Sequence, residues 1–314
     1  PLAALVPPED VEKSEALARQ LIGGNRQLYT VEHRYQTKAG EPLWARTTAT
    51  MVRDERGRPL YGLVMVEDIS ERRRLDQLKD EFISIVSHEL RTPLATVTGA
   101  IDNMQSGVLG PLTDKQQHYV DLISRNAERL NKIIHGLLDL SRLESGRARV
   151  DRRQVSLPPL LREAIQSARL QTAGRVTLEE SIPEGLPAVH IDPDLMNEVF
   201  ANLLDNAARY ARSRIVVRAE PFDGQESVRI SVHDDGPGIP QEDLCRLFNK
   251  FEQIRRPVGS GYKGTGLGLP ICKEIVALHA GKIWAESTVG AGTTFHLLLP
   301  QGAGGEAGGE RNAA

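Results

Sequence analysis

The chain has 314 residues, of which 40% are hydrophobic, 26% charged and 4% aromatic, with a formal net charge of −3. That length holds two or three domains, and that charge balance gives no basis for nucleic acid or an anionic membrane as a main partner. The two cysteines, Cys245 and Cys272, lack metal-ligand spacing and suit a reducing compartment, and neither a signal peptide nor an apolar run of membrane length is visible. A cytoplasmic location follows as the expectation. The first residue is Pro1 instead of Met, so a piece of a longer protein is expected, with any membrane anchor lying upstream of it.

Residues 1–24 read as a short helix or loop. Residues 28–36, 43–52 and 60–68 are rich in Val, Thr, Tyr and Trp, and "TKAGEP" and "DERGRP" between them carry the Gly and Pro of turns. These predict a three-stranded antiparallel meander, too small to bury a core by itself. From Ser70 to about Asn103 the pattern turns helical, with Leu75, Leu78, Phe82 and Ile85 at spacings of three and four. "GVLGPLTDKQQ" interrupts it, and Thr113 with Gln116 offers a capping box for a second helix running to about Ser145. There Val120, Ile123, Ala127, Leu130, Ile134 and Leu137 keep the same seam. One helical hairpin cannot cover both stripes, whereas two hairpins make a four-helix bundle, so residues 71–146 are expected to form a homodimer.

After the basic linker "SGRARVDRRQ", helices are expected at 158–170, 193–211, 241–248 and 267–279. Strands are expected at 175–180, 214–220, 227–233, 282–287 and 293–299. Helices alternating irregularly with antiparallel strands predict a two-layer α/β sandwich over 147–300, so the fold class of the whole chain is α+β. The tail, 301–314, is low in complexity and is expected to be disordered.

Within the first helix stands "SHELRTPL", residues 87–94. On a helical wheel His88 falls away from the apolar stripe. Glu89 is placed to hold its imidazole in one tautomer, and Thr92 stands one turn on. Pro93 withholds a donor from the Glu89 carbonyl, so a bend is expected there. In "EVFANLLDNAARY", Glu198, Asn202 and Asn206 recur every fourth residue. That ridge reads as a solvated polar face or as a ligand site in which the Asn206 amide oxygen holds Mg²⁺ and Arg209 faces phosphates. "VHDDGPGIP" sets Asp234 to accept from an exocyclic amine, and Gly236 and Gly238 to admit a base closely. "RRPVGSGYK" reads as a mobile loop. In "GTGLGLPIC", Gly264, Gly266 and Gly268 expose backbone N–H groups at a helix start. That segment lacks both the third glycine of a dinucleotide fingerprint and the Gly-Lys-Ser/Thr of a Walker loop.

"SHELRTPL" resembles the phosphoacceptor motif of sensor histidine kinases over all its residues. The boxes at 198–210, 232–240, 247–253 and 264–272, closed by "GAGTTFHLLLP", resemble the ATP-binding domain shared by histidine kinases, gyrase and heat-shock ATPase chaperones. The meander and its closing "EDIS" resemble the C-terminal half of a PAS sensor domain, with a generic β-meander as the other reading. The resemblance implies an ATP:protein-histidine phosphotransferase with His88 as acceptor, Glu89 as base, and Thr92 supporting removal of phosphate from a response-regulator receiver domain. It implies ATP and Mg²⁺ as cofactors. It also implies a nucleotide site that takes in Tyr210, Ile239, Phe248, Phe251, Lys263, Thr265, Leu267, Leu269 and Thr293. Superfamily members that hydrolyse ATP carry a glutamate where this chain has Asn202, which speaks against hydrolysis. A degenerate scaffold would lack His88, Asn206 or Asp234, and all three are present.

Overall fold

The computed structural model describes residues 8–37, 41–172, 174–222, 226–253 and 264–301. The expected tail, the 255–263 loop and Lys263 lie outside the described residues. The chain divides into two compact units, Pro1–Phe82 and Ile83–Ala314.

In the first unit, α1 (Pro8–Ile22) precedes strands β1 (Leu28–Gln36), β2 (Pro42–Arg53) and β3 (Pro59–Asp68). The strands pair in chain order and antiparallel throughout, as their turn chemistry predicts. Arg53 closes the end of α1 by donating to the carbonyls of Leu21 and Ile22 at 2.9 and 3.1 Å. Helix α2 (Ser70–Gln105) leaves this sheet from a defined corner. The Ser70 N–H donates to Asp68 at 2.9 Å, the Ser70 hydroxyl accepts from the Trp44 N–H at 3.0 Å, and the Arg73 guanidinium lies 3.7 Å above the Trp44 ring. β3 is exposed along its whole length although Leu60, Tyr61, Leu63, Met65 and Val66 are apolar.

In the second unit, α2 continues through Pro93 to Gln105, and α3 (Asp114–Glu144) follows. Thr113 caps α3 in a full capping box with Gln116, as the sequence predicts. The hairpin buries Ser87, Leu94 and Ile101 on α2 against Val120, Ala127, Ile134 and Leu138 on α3. Several other apolar positions of the two helices stay open. Leu75, Leu78, Phe82 and Ile85 are 52–67% exposed, and Ile123 and Leu130 are also exposed.

The rest of the unit is a two-layer sandwich. β4 (Arg153–Val155) and β6 (Val189–Ile191) form a small antiparallel ribbon. The main sheet runs β5 (Thr177–Ser181), β7 (Arg214–Phe222), β8 (Ser227–Asp234), β10 (Gly292–Pro300), β9 (Lys282–Thr288). Its one departure from the expected antiparallel pattern is the parallel β5–β7 pair. Helices α4 (Leu157–Thr172), α5 (Pro193–Tyr210) and α7 (Gly268–Leu278) supply the apolar layer that packs with the sheet in one core. The helix expected at 241–248 is shorter, α6 (Gln241–Leu244).

A buried imidazole joins two of these helices. His279, at the end of α7, donates from Nδ1 to the Ile275 carbonyl at 2.7 Å and accepts at Nε2 from the Asp192 N–H at 3.0 Å. Asp192 in turn caps α5 through the N–H groups of Asp194 and Leu195, and accepts from Asp151 at 2.9 Å. A protonated ring would set N–H against N–H, and burial, the largest influence, already holds His279 below its ordinary value of 6.5. The unfolded chain therefore takes up the proton first as pH falls. Stability from this group is complete above 6.5 and is lost as pH drops from there toward the lowered folded value. The expected outcome is that His279→Gln lowers the unfolding free energy at about pH 7.5 and narrows the gap between about pH 7.5 and about pH 5.5. Urea titration at the two pH values measures it. His296, lowered mainly by burial as well, leaves part of the slope in the variant.

Candidate nucleotide and phosphoacceptor sites

A cavity of about 870 Å³ opens between α3, α5 and the start of α7. Helix α5 is amphipathic: Met196, Val199, Phe200, Leu203, Leu204 and Ala207 are buried, which turns Asn202, Asn206 and Arg209 to the cavity. The Asn202 amide donates back to the Glu198 carbonyl at 3.0 Å, and its Oδ1 would lie 2.8 Å from a Cβ on Gly268. Asn206 is half-buried and makes no side-chain hydrogen bond among the described residues. Its free carboxamide fits one ligand of a hard cation whose other ligands are phosphates and water. Among the described residues no group of three or more His, Cys, Asp or Glu suits a metal.

At the far end, β8 delivers Asp234 into the cavity with only 3% exposure. The Gly236 N–H donates to its Oδ1 at 2.9 Å. A Cβ on Gly236 would stand 2.5 Å from that oxygen and 2.6 Å from the Tyr210 carbonyl, so only glycine fits. Gly238 has φ +72°, and a Cβ there would meet the Thr288 carbonyl at 2.0 Å. Ile239 and Thr293 also line the cavity. Both are tied to Ser287, whose hydroxyl accepts the Ile239 N–H at 2.8 Å and lies 2.9 Å from the Thr293 hydroxyl. Sequence reasoning missed Ser287, because a serine in a strand carries no signal until its cross-strand neighbours are known.

The stretch Gly264–Leu269 lines the wall at the start of α7, and Tyr210 lines it from α5. Gln253 donates to the Gly264 carbonyl at 2.7 Å and the Phe251 N–H to the Gly266 carbonyl at 2.9 Å, which ties down one end of the segment. Phe248 packs against the core and Phe251 is 53% exposed with φ 61°. Neither they nor Gly236 and Gly238 are among the lining residues. Sequence reasoning also missed the opposite wall, built by Glu128, Arg129, Lys132, His135 and Asp139 of α3.

His88 stands on the solvent face of α2 with its side chain 75% exposed, and does not line the cavity. Its Nδ1 is 3.5 Å from Glu89, a long contact that places the carboxylate within reach without clamping the ring. Thr92 is exposed one turn on.

Family models match all three parts of the chain: "PAS fold" over residues 1–65, "His Kinase A (phospho-acceptor) domain" over 78–146, and "Histidine kinase-, DNA gyrase B-, and HSP90-like ATPase" over 191–303. An acceptor hairpin joined to such an ATPase fold defines a class. The chain belongs to the sensor histidine kinases of two-component systems. It is 35% identical to the circadian input-output histidine kinase CikA of Synechococcus elongatus, over 71% of this chain and 30% of that protein. It is 30% identical to the sensor histidine kinase WalK of Bacillus subtilis, over 81% and 42% respectively. Against the adaptive-response sensory kinase SasA of a Synechococcus species the identity is 32%, over 76% and 63%. The chain therefore spans between about a third and two thirds of the length of these relatives. A crystal structure of full-length ShkA in complex with AMPPNP superposes with a TM-score of 0.58 at 26% identity, covering 70% of this chain and 45% of that one.

The acidic pair Asp234–Asp235 divides its labour. Burial raises the Asp235 carboxyl, but the Ser213 hydroxyl and the N–H groups of Ser213, Arg214 and Arg212 outweigh it and hold the group down to about 2. Asp235 thus fastens the turn between α5 and β7, while Asp234 opens on the cavity. The expected outcome for Asp235→Ala is a loss of roughly 1–3 kcal/mol of stability, with nucleotide affinity near wild type at a temperature where the variant is folded. Asp234→Asn is expected to do the reverse. Urea unfolding and titration with a fluorescent adenine nucleotide read the two effects separately.

Proposed function

We propose that this chain is the kinase core of a sensor histidine kinase: it binds ATP with Mg²⁺, phosphorylates His88, and passes the group to an aspartate of a response-regulator receiver domain. The observation that carries this reading is the cavity of about 870 Å³, lined both by a buried Asp234 and by Asn206, which makes no side-chain hydrogen bond among the described residues, on a chain that also exposes His88. Asp234 would accept from the adenine amine, Gly236 and Gly238 would admit the ring, and the backbone N–H groups around Gly264, Gly266 and Gly268 would receive phosphate oxygens. A magnesium ion at Asn206 would offset phosphate charge. The division into a sensor part (1–70), a dimerising acceptor hairpin (71–146) and a catalytic domain (147–300) belongs to the same reading.

In the transfer step the Nε2 lone pair of His88 attacks the γ-phosphorus. The Nε2–P bond forms, the bond from phosphorus to the bridging oxygen breaks, and ADP leaves. Glu89, on the Nδ1 side, holds that proton and takes it as the ring gains charge. Because His88 lies outside the cavity wall, the ATPase domain must leave α3 and reach an acceptor on its own or a second chain. The exposed apolar positions of the hairpin support a homodimer, in which both are near. Thr92, exposed beside His88, would orient the water that removes phosphate from a docked receiver, giving phosphatase activity.

Incubation with ATP and Mg²⁺ is expected to give a phosphate label that is lost in acid and survives base, as a phosphoramidate does. His88→Gln abolishes it and leaves nucleotide binding intact. Undiminished label in that variant would overturn the assignment. Mixing His88→Ala with Asn206→Ala chains is expected to restore label on the latter if transfer crosses the dimer, and no restoration after proven subunit exchange places the transfer within one chain.

A further inference from the structure

The polar wall that α3 gives the cavity is the feature that the kinase reading leaves unused. Charges on α3 and α5 act on one another across the cavity that both helices line. The Asp139 carboxylate acts on Glu198, and Lys132 acts on Asp205. Seven residues separate Glu198 from Asp205 and seven separate Lys132 from Asp139, in opposite chain directions, as for antiparallel helices facing one another. The same register sets His135 opposite Asn202 and carries Arg129 to the Arg209 end of α5. The start of α7 lies on this path too: a Cβ on Gly136 would meet Leu267 at 3.3 Å, and one on Gly264 would meet Arg209 at 2.7 Å.

Acids and bases both line this space, and not every cation is held in a pair. Of the cations on the ATPase side of the cavity, Arg246 is taken up by Glu252 at 2.8 Å and Asp243 at 3.5 Å. That leaves Arg209 without an ion pair among the described residues. On the α3 side, Arg129 lines the cavity with its Nε buried and without a hydrogen-bond partner among the described residues. Leaving such a donor buried and unsatisfied is costly unless a ligand completes it. Lys132 likewise makes no hydrogen bond or close ion pair among the described residues, and its pull on Asp205 does not overcome the burial that raises that carboxyl. Three cations without a hydrogen bond or close ion pair among the described residues, two of them on α3, thus line the same cavity as the glycine segment, with Asp205 acted on by both Lys132 and Arg209. That arrangement suits a multiply charged anion.

We propose that Arg129 and Lys132 of α3 form a hairpin-borne half of the phosphate site, so that the phosphate tail of a bound nucleotide is gripped between α3 and the glycine segment of the ATPase domain. This rests on the reading of the cavity as a nucleotide site. The consequence is a loaded but held state, in which nucleotide fastens the ATPase domain to α3 while His88 stays outside the cavity. Release of α3 is then a step separate from nucleotide binding.

The test uses the full chain and the double variant Arg129→Gln, Lys132→Gln, which keeps side-chain length. A fluorescent ATP analogue is displaced by ATP, by adenosine or by sodium tripolyphosphate. The expected result is roughly tenfold weaker binding of ATP and of tripolyphosphate in the variant, with adenosine unchanged. Hydrogen exchange of α3 over residues 126–140 is expected to slow on adding ATP to the wild type, and not on adding adenosine. Unchanged ATP affinity in the variant overturns the proposal, as does a parallel loss for ATP and adenosine, which marks α3 as a wall and not a phosphate ligand. If tripolyphosphate binds the wild type as tightly as ATP, the grip is a general polyphosphate site. If the wild type binds neither ATP nor adenosine, the nucleotide reading fails and this proposal with it. Should the double variant not fold, as judged by its unfolding midpoint, Lys132→Gln alone carries the same comparison.

Discussion

The neutral imidazole of His279 is the constraint on which the catalytic half of the molecule depends. It joins the end of α7 to the start of α5, and those helices carry the two sides of the cavity: the glycine segment leads into α7, and Asn202, Asn206 and Arg209 ride on α5. Because Nδ1 is committed to Ile275 and Nε2 to Asp192, the tautomer is fixed by geometry, and the ring cannot take a proton without losing the bond from the Asp192 N–H. Asp192 extends the junction to the segment entering β4 through Asp151. A rotation of α5 by one residue would swing its polar ridge about 100° out of the cavity. The cap at Asp192 and the buried Met196–Phe200–Leu203 side together fix that phase.

Local pattern carried most of the architecture. The strands of the meander, the capping box at Thr113 and Gln116, and the two-sided helix α5 were legible because their signals lie within one turn or one strand. β4 and β6 were not, since three residues are too few to show alternation. The parallel pairing of β5 with β7 was also hidden, because register across a long connection leaves no mark in either strand. The 241–248 helix reads long in sequence but stops at Leu244, and the segment beyond it ends in a left-handed Phe251 whose N–H is spent on Gly266. A non-glycine residue at positive φ is a tertiary decision that propensity does not foresee.

The site shows the same division. Asp234, the glycines and the asparagine ridge form local motifs, and the cavity collects Asp234, Gly264, Gly266, Gly268, Asn202 and Asn206 while Gly236 and Gly238 stay out of its lining. The equivalence of the two acids in "DD" is only apparent: four donors from the α5–β7 turn surround Asp235, whereas Asp234 receives the Gly236 N–H at the cavity edge. Nothing in the order of the residues distinguishes them, because the donors come from more than twenty residues upstream. Glu128, Arg129, Lys132 and His135 had the weakest signal of all. At helical spacing on a long helix they read as an ordinary solvated face, and only the presence of α5 and α7 turns that face into a wall.

Helix α3 is therefore used on three sides at once. Val120, Ala127 and Ile134 seal it to α2. Its C-terminal half, through Gly136, Leu140 and Leu143, meets the ATPase core, and Lys250 reaches Glu144 at 2.5 Å. The stripe of Ile123, Leu130 and Leu137 is divided: Leu137 is covered by the ATPase core, while Ile123 and Leu130 remain open. A second hairpin that covers Ile123 and Leu130 would run along the same stripe toward Leu137, so dimer packing and the hold on the ATPase domain meet at adjacent turns of one helix. The hairpin seam buries Ser87, Leu94 and Ile101 on α2 and Val120, Ala127, Ile134 and Leu138 on α3, with the small Ser87 and Ala127 among them. In this fold the helix that carries His88 and the helix that packs against the sandwich core are the two arms of one hairpin.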